Sequence, residues 1–360
     1  MIFPRLNIYL NRITGNASKL LQICSARGIK AGFVTKVFGS DERIIRVLDK
    51  LDFAFFADSR LMNLKNIKSD KPKMLLRLPA LSQIEETVRF ADISLNSELE
   101  IIVALNKYSE SINKKHGVIL MVDIGDLREG IFYKDKGEIY KAVNYIKNAG
   151  GLTFTGIGTN LTCYGSIIPT KDIMEKLVGI KHDIERECGV EVDMVSGGNS
   201  SGVNLIKCGE MPKEINSMRL GECMALGTEA AYGTPIDGCR QDTFTLEAEV
   251  IELKEKPSMP EGEKGYNAFH KKIDYVDKGQ MIRAICAIGE QDVDTSAIKP
   301  VMEDVEVLGA SSDHLILEIA GKAKEKVRLG MPMEFYLGYG ALLRSYTCLL
   351  YTSPSPRDRG

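Results

Sequence analysis

Eight short apolar runs punctuate residues 31 to 221, and the stretches between them carry a helical period. The runs are 31–37 (AGFVTKV), 53–57 (FAFFA), 73–79 (KMLLRLP), 92–96 (DISLN), 117–124 (GVILMVDI), 154–162 (FTGIGTNLT), 192–197 (VDMVSG) and 215–221 (INSMRLG). Continuous apolar runs, in place of strict alternation, are what parallel strands buried on both faces require. Between them, Leu81, Ile84, Val88 and Ala91 fall on one helical face, as do Ile173, Leu177, Ile180 and Ile184. Strands each followed by a helix, in this number, predict an α/β fold, a closed (β/α)8 TIM-type barrel over residues 11–239. An open doubly wound sheet is the runner-up, but neither GxGxxG nor GxxxxGK(S/T) occurs to mark its first turn.

Beyond about Arg240 the texture changes. Segments 244–254 (FTLEAEVIELK), 280–289 (QMIRAICAIG), 305–319 (VEVLGASSDHLILEI) and 333–344 (MEFYLGYGALLR) are β-type runs divided by Gly, Pro and charged turns. With no helix-period segment between them, they predict a C-terminal all-β domain over 240–347. The run 6–10 (LNIYL) is open to either domain and is grouped with the β domain. The string CLLYTSPSPRD at 348–358 resembles the conceptual translation of a transposase-type sequencing adapter, the alternative being a natural Ser/Pro-rich tail. Residues 348–360 are therefore left out of the expected fold, and the natural C-terminus is expected to be missing.

Charge is balanced, with 47 Lys and Arg against 49 Asp and Glu, and the chain has no Trp. It shows no basic block and little aromatic surface on which bases would stack, so nucleic acid is not an expected partner. No apolar stretch reaches the ~18 residues of a membrane span, and the N-terminus has no signal-peptide core, so no membrane partner is expected. Eight scattered cysteines without a CxxC pair read as reduced thiols. The expectation is a cytoplasmic protein that works on small molecules. Four isolated histidines form no HExxH, and no metal site is expected.

Catalytic groups of a parallel barrel sit at the C-terminal ends of its strands. Those positions hold Lys36, Asp58, Arg77, Asn96, Arg128, Asn160, the turn Gly197–Ser200 and Arg219. Lys36 ends an apolar run, where an ammonium is costly unless it is paired or its charge is lost. Bonding to an aldehyde cofactor removes that cost; a lysine snorkelling at a strand end is the plain alternative. The turn VSGGNSSG at 195–202 offers backbone N–H groups and hydroxyls ahead of a helix, which makes an anion nest or simply a tight turn. Arg219 in MRLGE lies beside it and suits a carboxylate, a phosphate, a ring nitrogen or an internal salt bridge. Arg128 in DIGDLREG suits bidentate binding of a substrate carboxylate, or a surface pair with Glu129 or Asp126.

Taken together, VTKVFGSDERI, FADSRLMNL, MVDIGDLREG, NLTCYG, VSGGNSS and ASSDHLI resemble the fold type III pyridoxal-phosphate enzymes, and within them the alanine/ornithine racemase group. The resemblance runs to about residue 347. It implies pyridoxal 5'-phosphate as cofactor and Lys36 as the lysine that bonds to it. Ser200, with Asn199 and the backbone of Gly221 and Glu222, matches the phosphate cradle, and Tyr339 matches a tyrosine near that phosphate. Arg219 matches the arginine facing the pyridine nitrogen, and Arg128 the one near the substrate carboxylate. Tyr266 in GEKGYNAF matches the racemase tyrosine. Ser312 and Asp313 match the pair that meets the substrate carboxylate across a subunit interface, so a homodimer with composite sites is implied. Two positions depart from the family: Phe38 and Gly39 stand where alanine racemases carry a phosphate-binding tyrosine, and Asn160 stands where they carry a histidine.

The resemblance is closest to the ornithine racemases, and the reaction it implies is racemisation of ornithine or a similar basic amino acid by two bases, Lys36 on one face of Cα and Tyr266 on the other. Arg219 keeps its charge and disfavours a protonated pyridine nitrogen, which speaks against a fold type III decarboxylase. An alanine or serine racemase, an aldolase acting on D-hydroxy amino acids and a non-catalytic cofactor-binding homeostasis protein complete the alternatives. The length of the β domain argues against the last. Ornithine would bring a second ammonium, which needs an acidic partner. Glu290, Asp292 and Asp294 in GEQDVD follow a strand and offer one, Asp292 foremost, unless they form only a solvated acidic turn.

Overall fold

The eight apolar runs become eight parallel strands that close on themselves. The computed structural model describes residues 3–270 and 272–347, together with the backbone of 351–354. It divides into two units, Arg12–Gln241 and the combined segments Met1–Asn11 and Asp242–Gly360.

After β1 (Arg5–Ile8), the strands of the first unit are β2 (Lys30–Val34), β3 (Phe56–Asp58), β4 (Lys73–Leu75), β5 (Ile93–Asn96), β6 (His116–Asp123), β7 (Ile131–Phe132), β8 (Leu152–Gly158), β9 (Met194–Ser196) and β10 (Ser217–Leu220). They pair in the order β5-β4-β3-β2-β10-β9-β8-β6, and β5 pairs with β6 to complete the ring. The two-residue β7 attaches to the end of β6, outside the ring. Side chains of alternate residues fill the inside, where Val34, Phe55, Ala57, Met74, Leu95, Ile119 and Met121 form one cluster. On the opposite faces of their strands, Phe33 and Phe56 each pack on Phe53 with ring centroids 4.7 Å apart. Both faces of each strand are thus apolar, which is why the runs read as continuous. Leu81 departs from the expected helical face and is 53% exposed. It belongs to a 3-10 turn, and the α-helix starts only at Ile84, so the phase of the apolar stripe resets there.

β8 carries a bulge. Val118 pairs with Phe154, but the next residue, Ile119, pairs with Gly156. Gly156 has φ +150°, and a Cβ there would lie 2.0 Å from the Met194 carbonyl oxygen. Glycine is what allows the bulge. The extra residue sets which way the strand delivers Thr159 and Asn160 beyond its C-terminal end.

The second unit is an antiparallel sheet. Its strands are β11 (Phe244–Pro257), β12 (Gln280–Cys286), β13 (Ile298–Pro300), β14 (Val305–Ala310), β15 (Leu315–Ile319) and β16 (Pro332–Leu337), in the order β13-β16-β11-β12-β15-β14. β1 lies antiparallel to β11, which assigns the 6–10 run to this sheet. Its other edge pairs in parallel with β17 (Tyr351–Pro354), through main-chain bonds that do not depend on side-chain identity. The rest of the adapter-like segment, 348–350 and 355–360, lies outside the described residues. The run 333–344 is a strand only as far as Leu337. Tyr339–Ser345 is an α-helix with Ala341, Leu342 and Ser345 buried. Gly338 ends the strand, its carbonyl accepts from Leu342 N at 3.0 Å, and the Ala-Leu-Leu that follows favours helix. Among the described residues no helix is long and apolar enough to cross a membrane.

Candidate active site at the mouth of the barrel

β2 stops at Val34, so Lys36 lies past the strand, in the 3-10 turn Lys36–Phe38, and not within it as the run 31–37 implies. The turn is fixed by Asp58, fully buried at the end of β3. Its Oδ2 accepts from Thr35 Oγ1 at 2.6 Å and lies 3.2 Å from Ser40 Oγ. Its Oδ1 accepts from Arg60 N at 2.9 Å and Asn63 Nδ2 at 3.0 Å. Gly39 and Ser40 are both left-handed, with φ of 55°, which folds the chain back for Ser40 to reach Thr35 and Asp58. Burial raises the Asp58 pKa against the pull of these donors. Phe38, at the position where the family pattern has a tyrosine, is fully buried. Burial also raises the pKa of the Cys163 thiol and the Glu222 carboxyl, and the charge of Lys36 opposes both shifts. Lys36 therefore shares the mouth with these two groups.

Arg219, near the end of β10, is 2% exposed. Its Nη1 donates to Ser196 Oγ, and its Nη2 donates to the Thr159 carbonyl at 2.6 Å and to Asn160 Oδ1 at 2.8 Å. Burial lowers its pKa to about 10, with Glu129 opposing the shift and Arg128 adding to it. It remains a cation near neutrality. Asn160 Nδ2 in turn donates to Glu129 Oε1, and Glu129 pairs with Arg128. Of the alternatives open for Arg128, the structure shows the pair with Glu129. Burial works against the Arg128 charge, but the Glu129 hydrogen bond and the Cys163, Glu129 and Asp126 charges outweigh it and raise the pKa. The loop that carries Arg128 is held by buried Asp126. Its carboxylate accepts from Thr162 N and Tyr164 N at 3.0 Å and from Ile167 N at 3.3 Å.

Ser200, 3% exposed, receives the backbone N–H groups of Gly221 at 3.4 Å and Cys223 at 3.2 Å on its Oγ. Asn199 Oδ1 accepts from Ser201 N at 2.9 Å, while its Nδ2 donates to the Leu161 carbonyl at 3.0 Å and to Cys163 Sγ at 3.2 Å. Within the barrel unit the structure thus gathers Lys36, Arg128, Asn160, Asn199, Ser200, Arg219, Gly221 and Glu222. It adds Cys163, which sequence reasoning missed, and Glu129, which the sequence offered only as a surface partner for Arg128. The signal for Glu129 was its place beside Arg128 in a strand-end turn.

The other expected residues belong to the β unit. Backbone bonds of 3.0 Å from Glu290 N to Ser311 O and from Gln291 N to Ser312 O join the acidic turn to the Ser312–Asp313 turn. Asp292 Oδ2 accepts from Gly289 N at 3.0 Å, and Glu290 pairs with Arg344 at 3.0 Å. Asp313 is exposed, and a hydrogen bond with His314 at 3.0 Å lowers its pKa. Tyr339 opens the helix whose next residue, Gly340, would bring a Cβ within 2.8 Å of Asp294 Oδ2. Asp292, Ser312, Asp313 and Tyr339 therefore fall in one loop cluster. Tyr266 stands on the separate loop between β11 and β12, 66% exposed, with Lys272 Nζ 5.5 Å from its ring centre.

A lysine at the end of the first barrel strand, a buried arginine at the end of the last and a trailing all-β unit define a class of barrel enzymes. Residues 8–228 match the family model for the alanine racemase N-terminal domain. The chain is 44% identical over 348 residues to the ornithine racemase of Acetoanaerobium sticklandii, covering 96% of this chain and 98% of that protein. It is 40% identical over 350 residues to the lysine racemase of Thermotoga maritima, covering 96% and 97%. The solved alanine racemase of D-cycloserine-producing Streptomyces lavendulae matches with a TM-score of 0.74 over 96% of this chain and 95% of that one; at 14% identity it bears on the fold alone. The chain belongs to the alanine racemase family and is an amino-acid racemase, an isomerase.

Proposed function

We propose that the protein racemises a basic amino acid, ornithine or lysine, as a cytoplasmic homodimer with pyridoxal 5'-phosphate at the barrel mouth. The convergence of Lys36, buried Arg219 and the Ser200 cradle carries this reading. The residues fit the cofactor. Ser200 Oγ already accepts two backbone N–H groups, which leaves its own hydrogen to donate to a phosphate oxygen. A Cβ on Gly221 would lie 3.0 Å from Val34 Cβ, so the backbone stays bare at the cradle. Thr159 Oγ1 is buried beside Arg219 without a hydrogen-bond partner. Ser200, Gly221 and Glu222 would hold the phosphate, Lys36 the aldehyde carbon, and Arg219 with Asn160 the ring nitrogen.

When bound, the cofactor supplies the electron sink that acidifies the Cα–H bond. Lys36 Nζ takes or returns the proton on one face, and Arg128 receives the substrate carboxylate. Arg219 stays a fixed cation and accepts no proton near neutrality. Tyr266 Oη from a second copy serves the opposite face, with Ser312 and Asp313 of that copy toward the carboxylate. Asp292 is assigned to the distal ammonium of the substrate. The names of the two curated relatives support a basic substrate.

Incubation with L-ornithine, L-lysine, L-alanine and L-serine, read by chiral chromatography, should show a basic D-amino acid forming fastest. A clear preference for alanine overturns this reading. Borohydride should fix the cofactor to the Lys36 peptide, and Lys36→Ala should abolish both label and turnover. Asp292→Ala should lose tens-fold in kcat/KM for ornithine, about 2 kcal/mol or more, and far less for alanine.

A further inference from the structure

An ion pair between sequence neighbours on an exposed turn would carry little weight. Glu129 is different: 11% of its side chain is exposed, against 37% for Arg128. Both carboxylate oxygens are used. Oε2 accepts from Nε of Arg128, and Oε1 accepts from Nη2 of Arg128 and Nδ2 of Asn160. The Asn160 amide turns its oxygen the other way, to accept from Nη2 of Arg219 at 2.8 Å. Arg128 and Arg219 are thus two ends of one hydrogen-bonded chain with Glu129 at its centre.

The chemistry of the chain is directional. An asparagine amide has one donor end and one acceptor end, and it serves Arg219 only while its NH2 group finds an acceptor. Glu129 is that acceptor. The carboxylate also lies between two guanidinium groups that repel each other, and offsets that repulsion. Its pairing takes the Nε–Nη2 edge of Arg128, and among the described residues Nη1 has no hydrogen-bond partner.

We infer that Glu129 is a positioning residue that locks Arg128 so that its Nη1 edge meets the substrate carboxylate, and that fixes the Asn160 amide against Arg219. This rests on the assignment of Arg128 to the substrate carboxylate. Arg219 keeps its bonds to Ser196 and the Thr159 carbonyl when Glu129 is altered, so the main effect falls on recognition.

Glu129→Gln keeps the shape and removes the charge. KM for the amino acid should rise about tenfold or more, with kcat within about threefold of wild type. In an Arg128→Ala background the same change should add less than about twofold, because it acts through Arg128. Phenylglyoxal labelling of Arg128 in the protein without cofactor, mapped by mass spectrometry, should run about fivefold faster in Glu129→Gln as the side-on edge is released. Glu129→Asp keeps the charge with a shorter reach and should fall between the two in KM and labelling; it decides the matter if the glutamine variant does not fold. Wild-type KM and labelling rate in either variant, or effects that multiply in the double variant, overturn the inference. If the wild type racemises no basic amino acid, the functional reading falls, whereas the labelling still decides the place of Glu129.

Discussion

At the first position of β6, His116 is fully buried, with Nε2 2.7 Å from Ser94 Oγ. Burial lowers its pKa from 6.5 to about 4, and the nearby charge of Lys114 adds to the shift. The unfolded chain therefore takes up this proton first as pH falls. The stability that depends on a neutral His116 is complete above pH 6.5, declines between 6.5 and 4, and is gone below about 4. The whole loss amounts to about 3 kcal/mol. Denaturant unfolding across this range should show a gentler acid slope for His116→Gln than for wild type, and equal slopes would sink the idea. Nothing in the isolated sequence announced this histidine, because its desolvation comes from residues distant in the chain. Lys36 stood out in the sequence by contrast, since an ammonium closing an apolar run is costly unless it is paired, snorkels to water or loses its charge.

The bulge in β8 is an element-scale device. Periodicity located the run 154–162 but could not show that Thr155 lies outside the ladder between Phe154 and Gly156. That depends on β6 as partner. Gly156→Ala would place a methyl 2.0 Å from the Met194 carbonyl oxygen at φ +150°, a contact that backbone must relieve. Thermal or denaturant unfolding should report a loss above ~2 kcal/mol. Turnover of the folded fraction should fall as well, because the strand then misdirects Asn160. A variant with wild-type stability would show that the bulge is not what glycine is there for. The same dependence on partners explains the misread run 333–344. Gly338 and the residues after it were compatible with a turn in a strand or with a helix start, and packing of Ala341, Leu342 and Ser345 chose the helix.

For the molecule as a whole, the proposed homodimer places Lys36 and Tyr266 of each site on different copies. Lys36→Ala and Tyr266→Phe proteins, each inactive, should regain racemase activity when mixed under conditions of proven subunit exchange. No recovery would count against a shared site. The sequence by itself determined the barrel and the β unit. Continuous apolar runs must be buried on both faces, and helical stripes between them leave few ways to do it. It also placed Lys36, Asn160 and Arg219 near strand ends, although the apolar runs overshoot the strands: β2 stops at Val34 and β8 at Gly158. Only the tertiary structure decided how these groups are used. Glu129 links Arg128 to Asn160 and, through it, to Arg219 because closing the ring brings the ends of β6, β8 and β10 together. Asp58 became the clamp on the Lys36 turn because β3 lies beside β2. Hydrogen-bond partners far apart in the chain are chosen by ring closure, and no local pattern of residues encodes them.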